Sequence, residues 1–171
     1  MTLVQTMAVY ATLWTISDLV EQKFISKKEQ MDYQKSVRMV TVGTFVVAPI
    51  VYTWLFIAEQ MFPGKAIKNV VKKMITGQVV FAPFAINSTF YFSTCMLERK
   101  SFQQFKEEWF KKFPVTYKTN LMFWPFVQSA NYSLVPYKYR PKVVGCASFL
   151  WSMFLCYTKE PSKEEVVKER S

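Results

Sequence analysis

The chain has 171 residues, which suits one domain or one small helical bundle, and it contains no histidine. Its 22 basic and 12 acidic residues give a net charge of +10. The basic residues are spread over every polar interval, which favours contact with anionic lipid headgroups and argues against specific nucleic-acid binding. Its cysteines, Cys95, Cys146 and Cys156, all fall in apolar stretches, which argues against a secreted disulfide framework and indicates ordinary packing.

Five stretches of the sequence contain no charged residue, and nearly all charges lie between them. A helix of about 20 residues rises roughly 30 Å, which matches the hydrocarbon core of a bilayer. A soluble helix would need charges on its outer face, so these stretches predict membrane-spanning helices and not a soluble all-helical core. In chain order the apolar runs cover residues 1–17, 39–58, 74–97, 119–137 and 143–158.

The first run predicts a helix that ends near Asp18 and Gln22, without the basic start of a secretory signal. An acidic group at the end of a membrane helix lies either in the solvated interface or against a partner inside the bundle, and we expect the interface. A basic interval follows, and the second run then carries Pro49 almost at its centre.

An amphipathic segment leads into the third run. After a Pro-Gly break, apolar residues at helical spacing oppose Lys65, Lys68, Lys72 and Lys73. We therefore expect these lysines on the polar face of a helix.

The longest polar interval, residues 98–118, also has a helical pattern. Phe102, Phe105, Trp109 and Phe113 recur at helical steps, with Lys and Glu on the other side. This pattern predicts an amphipathic helix that lies in the membrane interface. A helix that binds a partner in the cytosol is the alternative.

The fourth run places Trp124, Gln128, Asn131 and Val135 on one helical face. The fifth run is slightly short for a full span. The sequence therefore predicts an all-α, polytopic transmembrane bundle of four to five kinked helices plus an interfacial amphipathic helix.

Residues 1–158 are expected to form this single integral membrane domain, and residues 159–171 a solvated, mobile C-terminal tail. If all five runs cross the bilayer, the basic intervals place the tail on the cytosolic or matrix side. If one run does not cross fully, both termini lie on the same side.

Proline lies near the middle of the second, third and fourth runs, as Pro49, Pro83 and Pro125, and each is a predicted hinge. A proline leaves one backbone carbonyl unpaired, which is costly in lipid unless another donor reaches it. Polar side chains nearby either join helices, at about 1 kcal/mol each, or line a polar pathway through the bundle. The candidate residues are Asp18, Gln78, Asn87, Gln128 and Asn131.

Catalysis has little support in this sequence. It contains no histidine, no metal-ligand spacing, no glycine-rich phosphate loop and no paired acids inside the apolar runs. We therefore predict that the protein is not an enzyme, with no catalytic residue, no metal site and no cofactor. Its expected partners are the lipid bilayer, an unidentified small solute and further copies of the chain in a homo-oligomer.

The segment WPFVQSANYSLVPYKYR resembles the signature of the Mpv/PMP family of membrane proteins, and the whole chain is most similar to the mitochondrial branch. Ser17, Ala48 and Ser152 depart from the family pattern, which usually has Gly, Gly and Asn at these positions. The signature residues are Trp124, Pro125, Gln128, Asn131, Val135, Pro136, Arg140 and Trp151.

The resemblance implies a small integral membrane protein, usually with four spans, in the mitochondrial inner membrane or, alternatively, in the peroxisomal membrane. It also implies channel activity with little selectivity. Roles in the maintenance of mitochondrial DNA and nucleotide pools and in reactive-oxygen metabolism are implied as well.

The first hypothesis is a channel that is lined by Gln128, Asn131, Asp18 and Asn87, with Pro125 as its hinge. The second is a scaffolding membrane protein without transport, which docks partners through the interval before the fourth run. As opposite charges that frame the bundle, Asp18 and Arg140 are expected to approach each other.

Overall fold

The computed structural model describes residues 2–64, 66–136 and 139–159, with the side chains of residues 140–142 excepted. This part of the chain forms helices and connecting turns and contains no strand, which confirms the predicted all-α class. Its five helices are α1, Leu3–Ile25; α2, Tyr33–Met61; α3, Ile67–Leu97; α4, Phe102–Ser133; and α5, Arg140–Thr158.

Three of these helices, α1, α2 and α3, are long and apolar enough to cross a membrane by length and composition. Helix α5 contains the shorter apolar stretch Val143–Thr158. Helix α4 combines a charged first part with an apolar second part that carries amides and a proline, and it packs against α3 and α5. The described helices therefore form the predicted membrane bundle.

Helices α1 and α5 run side by side in the same direction. The hydroxyl groups of Tyr10 and Ser148 are hydrogen-bonded at 3.2 Å, and further along both helices the Ser152 hydroxyl donates to the Ser17 hydroxyl at 2.6 Å. Both Ser17 and Ser152 depart from the family pattern, and they contact each other.

Helices α3 and α4 run antiparallel. The hydroxyl groups of Tyr91 and Thr116 are hydrogen-bonded at 2.6 Å, whereas further along α4 the Ser129 hydroxyl donates to Met74 Sδ, at 3.2 Å, near the start of α3. A short connection between the two helices makes this antiparallel packing the expected one.

The predicted interfacial helix is not a separate element, because it forms the first part of α4. The Ser101 hydroxyl accepts a hydrogen bond from the backbone N–H of Gln104 and caps the helix. Phe105 and Trp109 pack against the core of the bundle, and Trp109 Nε1 donates to Ser88 Oγ at 3.1 Å. The periodicity identifies an apolar face, but it cannot tell whether lipid or another helix covers that face.

Wide π-helical turns accompany two of the predicted hinges. Gly43–Val47 lies just before Pro49, and Gly77–Ser88 contains Pro83. Pro125 lies within regular α-helix. Such turns place one extra residue in a helix and are frequent at functional sites. The hinge role of the three prolines stays a prediction.

The last described residue, Lys159, belongs to the bundle. Its side chain is almost completely buried, and its Nζ lies 2.6 Å from Glu108 Oε1. This ion pair joins Lys159, the first residue of the predicted tail, to the bundle. The rest of the predicted tail, residues 160–171, lies outside the described residues.

Candidate functional site

A cavity lies inside the bundle, and all five described helices line it. The centres of water-sized molecules can occupy about 80 Å³ of this cavity. One water needs about 10–15 Å³ by the same measure. The cavity therefore has room for several waters or a small solute. Aromatic rings form much of the wall. Apart from the tryptophan indoles, the polar lining side chains are Tyr10, Lys73, Gln78, Asn120, Gln128, Tyr132 and Ser148.

Helix α4 supplies a stripe of lining residues at intervals of four, namely Asn120, Trp124, Gln128 and Tyr132. Residues four apart lie on one face of an α-helix, and that face turns slowly along the helix axis. The cavity therefore includes Trp124 and Gln128 of the predicted face. Asn131 is fully buried outside the lining, because the stripe continues to Tyr132 instead.

Three amide side chains around the cavity have an oxygen without a hydrogen-bond partner in the described part of the chain. These atoms are Gln78 Oε1, Asn120 Oδ1 and Gln128 Oε1, and the donor Trp151 Nε1 is also unpaired there. A buried polar group that has lost its hydrogen bonds costs about 1–3 kcal/mol. Several such groups around one cavity indicate that its contents are polar.

The π-helical part of α3 places Gln78 at the cavity. The Tyr117 hydroxyl of α4 donates to the backbone carbonyl oxygen of Gln78 at 3.0 Å. The neighbouring Gly77 lies beside Trp54, since a Cβ at Gly77 would be 3.4 Å from Trp54 Cζ2, an ordinary contact distance. Trp54 in turn stacks on Phe81, with ring centroids 4.5 Å apart. Helices α2, α3 and α4 are thus held together around this amide.

Lys73 lines the cavity, which corrects its predicted position on an exposed polar face. Its side chain is fully buried, and its Nζ lies 2.6 Å from Glu59 Oε2 and 5.1 Å from the ring centroid of Tyr132. Its Nζ also lies 3.4 Å from the carbonyl oxygen of Gly64. Lys68 and Lys72 of the same segment are exposed, as predicted, whereas Lys73 turns inward where α3 begins against the end of α2 and the end of α4.

Sequence reasoning missed five of the polar lining residues named above, namely Tyr10, Lys73, Asn120, Tyr132 and Ser148. Asn120 was detectable, because it lies four residues before Trp124 and eight before Gln128 on the same helical face. Lys73 had no such signal, since a lysine next to an apolar run is normally solvated or at the interface. Its burial depends on Glu59, which comes from a different helix.

Asn87 is fully buried, like Asn131, and neither residue lines the cavity. None of their side-chain nitrogen and oxygen atoms has a hydrogen-bond partner among the described residues. Of the four residues expected to line a channel, only Gln128 lies at the cavity. Gln78 of the wider candidate set joins it.

Asp18 lies in a separate buried network at the end of α1, so it faces partners in the bundle and not the solvated interface. Its Oδ2 accepts hydrogen bonds from Gln22 Nε2 at 2.7 Å and from the Ser36 hydroxyl at 2.5 Å. Lys35 Nζ lies 2.7 Å from Glu21 Oε2 and 3.9 Å from Asp18 Oδ1. Two carboxylates and one ammonium group therefore join the end of α1 to the start of α2.

The expected approach of Asp18 and Arg140 involves a side chain outside the described residues. The described backbone places the two residues at opposite ends of the bundle. Because α1 and α5 run in the same direction, Ser17 lies beside Ser152, three turns after the start of α5.

An ion-pair cluster joins α3, α4 and the end of α5. Glu108 is its centre, with Lys100 Nζ at 2.7 Å and Lys159 Nζ at 2.6 Å from its carboxylate oxygens. Burial by itself would raise the pKa of Glu108, but Lys159, Lys100 and Lys112 outweigh it and lower the pKa to about 2. The pKa of the Lys100 ammonium is raised, because its contacts with Glu108 and Glu98 outweigh the opposing effect of its burial.

Cys95 lies next to this cluster. Its Sγ and the carboxylates of Glu98 and Glu108 all lie within 4.8 Å of one another, as the ligands of a metal ion would. However, Lys100 Nζ and Lys159 Nζ both lie within 3.1 Å of these two carboxylates and already neutralise them. The arrangement therefore favours ion pairing over metal binding.

The chain is similar to known membrane proteins. Residues 95–156 match the Mpv17 / PMP22 family. The Mpv17-like protein of Xenopus laevis is 36% identical over 161 residues, which cover 92% of this chain and 77% of that protein. PXMP2/4 family protein 2 of Dictyostelium discoideum is 32% identical, over 83% of this chain and 74% of that protein.

The mitochondrial inner membrane protein Mpv17 of Mus musculus is 29% identical, over 85% of this chain and 84% of that protein. No solved structure matches the chain. The similarity to these relatives covers most of the sequence and is not limited to the signature segment.

Proposed function

The chain belongs to the Mpv17/PMP22 family, and we propose that it passes small solutes through the mitochondrial inner membrane. The relatives named mitochondrial inner membrane protein Mpv17 place it in that membrane, and the PXMP2/4 relative supports the peroxisomal membrane as the alternative. Through this passage it contributes to mitochondrial homeostasis, which includes the nucleotide pools needed for mitochondrial DNA and the metabolism of reactive oxygen.

The observation that supports this proposal best is the cavity with its three unpartnered amide oxygens. Amides that only join helices would form hydrogen bonds to one another or to the backbone across a helix interface. Gln78, Asn120 and Gln128 instead line a common space that has room for polar contents. A solute inside the bundle would find there the hydrogen bonds that the hydrocarbon core lacks.

The cavity ends at Trp14 on the side of Asp18, because Trp14 lines it and Asp18 does not. Trp14 lines the cavity and is 2% exposed, and its ring lies 5.8 Å from that of Phe90. Asp18 follows one helical turn later, with the buried network of Gln22 and Lys35 beyond it. The proposed passage therefore has polar groups on both sides of Trp14, and solute movement requires that Trp14 and its neighbours separate.

The scaffolding alternative loses its expected contact residues. Phe105 and Trp109 pack against the core, so they are not free to anchor a partner. A role in docking would have to use other exposed residues of α4, such as Phe102 and Phe110. The absence of enzymatic activity and the assembly into a homo-oligomer stay predictions.

Solute flux through vesicles that contain the purified protein tests the proposed function. We expect a small neutral solute such as glycerol to cross such vesicles faster than protein-free vesicles. Gln128→Leu should reduce the protein-dependent flux several-fold, because it removes an amide from the cavity wall and adds apolar bulk.

Gln103→Leu is the matched control, because Gln103 lies on the exposed face of the same helix. It should leave the flux unchanged. If the wild-type protein adds no flux, or if Gln128→Leu behaves like the control, the proposed passage through this cavity is wrong.

A further inference from the structure

The cavity carries one charged lining side chain within the described part of the chain, that of Lys73. Its ammonium group is fully buried, and its counter-ion Glu59 does not line the cavity. All other polar lining groups are neutral amides, hydroxyls and indoles. The charged residue of the described cavity wall is therefore a cation whose counter-ion lies outside the wall.

Glu59 is the more exposed partner of the ion pair. Its side chain is 28% exposed, whereas that of Lys73 is 0% exposed, and the two charged atoms are 2.6 Å apart. A carboxylate with access to water can turn away at a lower cost than a fully buried ammonium group can. An anion that reaches Lys73 from the cavity can therefore take over part of the role of Glu59.

The neutral groups of the lining also suit an anion. Trp151, which is 6% exposed, has an indole Nε1–H without an acceptor in the described part of the chain. The side-chain amides of Gln78, Asn120 and Gln128 have unpaired oxygens, and each amide can rotate to present its NH₂ group to an anion instead. An anion needs several donors and one nearby positive charge to replace its water shell.

We propose that Lys73 makes this cavity selective for small anions, with Glu59 as the counter-ion that an entering anion partly displaces. The proposal rests on the proposed passage and names the charge class of its solute. A single buried cation in a low-dielectric wall attracts anions and repels cations, as lysine and arginine residues do in anion-conducting pores.

Quenching of tryptophan fluorescence tests this selectivity in the purified full-length protein, without any transport measurement. Of the 5 tryptophans of the chain, those at the cavity are Trp14, Trp54, Trp124 and Trp151. We expect the anion iodide to quench this fluorescence more strongly than the cation caesium, with neutral acrylamide as the measure of access.

Lys73→Gln should lower the iodide quenching constant by about twofold or more and leave acrylamide quenching unchanged, because the positive charge at the cavity is lost. Lys72→Gln is the matched control, since it removes the same charge from an exposed position one residue away. It should change neither constant.

A second variant keeps the proposal testable if Lys73→Gln does not fold. Glu59→Gln retains the lysine and removes its counter-ion, so iodide quenching should increase. Two results would overturn the proposal. One is iodide quenching that is no stronger than caesium quenching. The other is iodide quenching that neither Lys73→Gln nor Glu59→Gln changes.

Flux in vesicles separates this proposal from the proposed function. Passage of glycerol reports whether the cavity belongs to a pathway, whatever its charge selectivity. If glycerol crosses and chloride crosses no faster than potassium, the passage stands and the selectivity is wrong. If neither solute crosses, the passage is wrong, while the quenching result still decides whether the cavity takes up anions.

Discussion

Gly43 of α2 lies directly against the indole ring of Trp14 on α1. A Cβ atom built on Gly43 would be 2.4 Å from Trp14 Cγ, a distance at which the ring or the backbone has to move. Gly43 begins the π-helical turn Gly43–Val47, and Trp14 also lines the cavity, whereas Gly43 does not. Glycine is needed here for the close approach of a side chain and not for an unusual backbone conformation.

Gly43→Ala is therefore expected to destabilise the bundle by about 1–3 kcal/mol, the usual cost of an overpacked core. The apparent melting temperature in mild detergent should fall by several degrees. Gly145→Ala is the control, because its Cβ would lie 3.9 Å from Leu13 Cδ1, an ordinary contact distance. Equal melting temperatures for the two variants would contradict the close packing of Trp14 on Gly43.

The ion pairs of Glu108 predict a loss of stability in acid. The folded-state pKa of Glu108, about 2, lies below its ordinary value of 4.5, so the contribution of Glu108 is fully present above pH 4.5 and is lost as the pH falls toward 2. That contribution is at most about 3 kcal/mol, and less where water screens the cluster.

Denaturant unfolding at pH 7 and at pH 3 measures this effect. Glu108→Gln should be less stable than wild type at pH 7 and should show a smaller further loss at pH 3. Glu107→Gln removes an exposed acid next to it and should behave like wild type. An unchanged pH dependence in Glu108→Gln would show that the cluster adds no net stability.

Removal of Lys35 should destabilise the end of α1 strongly. In Lys35→Met, the buried carboxylates of Glu21 and Asp18 lose the ammonium group between them. In the wild type, Lys35 Nζ lies 2.7 Å from Glu21 Oε2 and 3.9 Å from Asp18 Oδ1. A buried charge that loses its partner costs about 3–5 kcal/mol. Lys27→Met, at an exposed position in the same connection, should cost little.

A double variant checks the cause of that loss. Glu21→Gln combined with Lys35→Met should recover part of the lost stability, because it removes one of the two unpaired negative charges. If the double variant is no more stable than Lys35→Met alone, the ion pair does not explain the destabilisation.

Asn120→Leu distinguishes an amide that lines a passage from one that joins helices. Asn120 is 2% exposed, and its Oδ1 has no partner among the described residues. If the amide serves the cavity contents, leucine, which has the same branched shape but is apolar, should raise stability by up to about 1–3 kcal/mol and reduce solute flux.

Asn69 provides the contrast, because its Nδ2 donates to the carbonyl oxygen of Pro63 at 2.7 Å. Asn69→Leu should lower stability through the loss of this hydrogen bond and leave the flux unchanged. A loss of stability in Asn120→Leu, with normal flux, would favour helix joining for that amide as well.

Several features of this protein could be predicted from short-range patterns. The charge-free runs predict membrane helices because helices of this length cross a bilayer and because charges are costly inside it. The residues Trp124, Pro125, Gln128 and Asn131 and their spacing resemble the family signature. This resemblance can be recognised in the sequence alone, because it does not depend on how the helices pack. The residues of one helical face follow from the 3.6-residue period, which places Gln128 beside Trp124.

Which partner covers each face depends on residues far apart in the chain. Phe105 and Trp109 form an apolar face by period alone, but the covering of that face by α3 follows from the packing of the whole bundle. The same holds for Lys73, whose burial needs Glu59 from the preceding helix and Tyr132 from α4.

Composition and periodicity by themselves determined the membrane class and the helices, and the resemblance of the signature segment indicated the family. Only the tertiary structure decided that Gln78, Asn120 and Gln128 share a cavity while Asn87 and Asn131 do not. The physical reason is that the helical period orders side chains around one axis, whereas a cavity depends on how five axes are rotated against one another. π-Helical turns such as Gly77–Ser88 change that rotation by an amount that no local pattern reports.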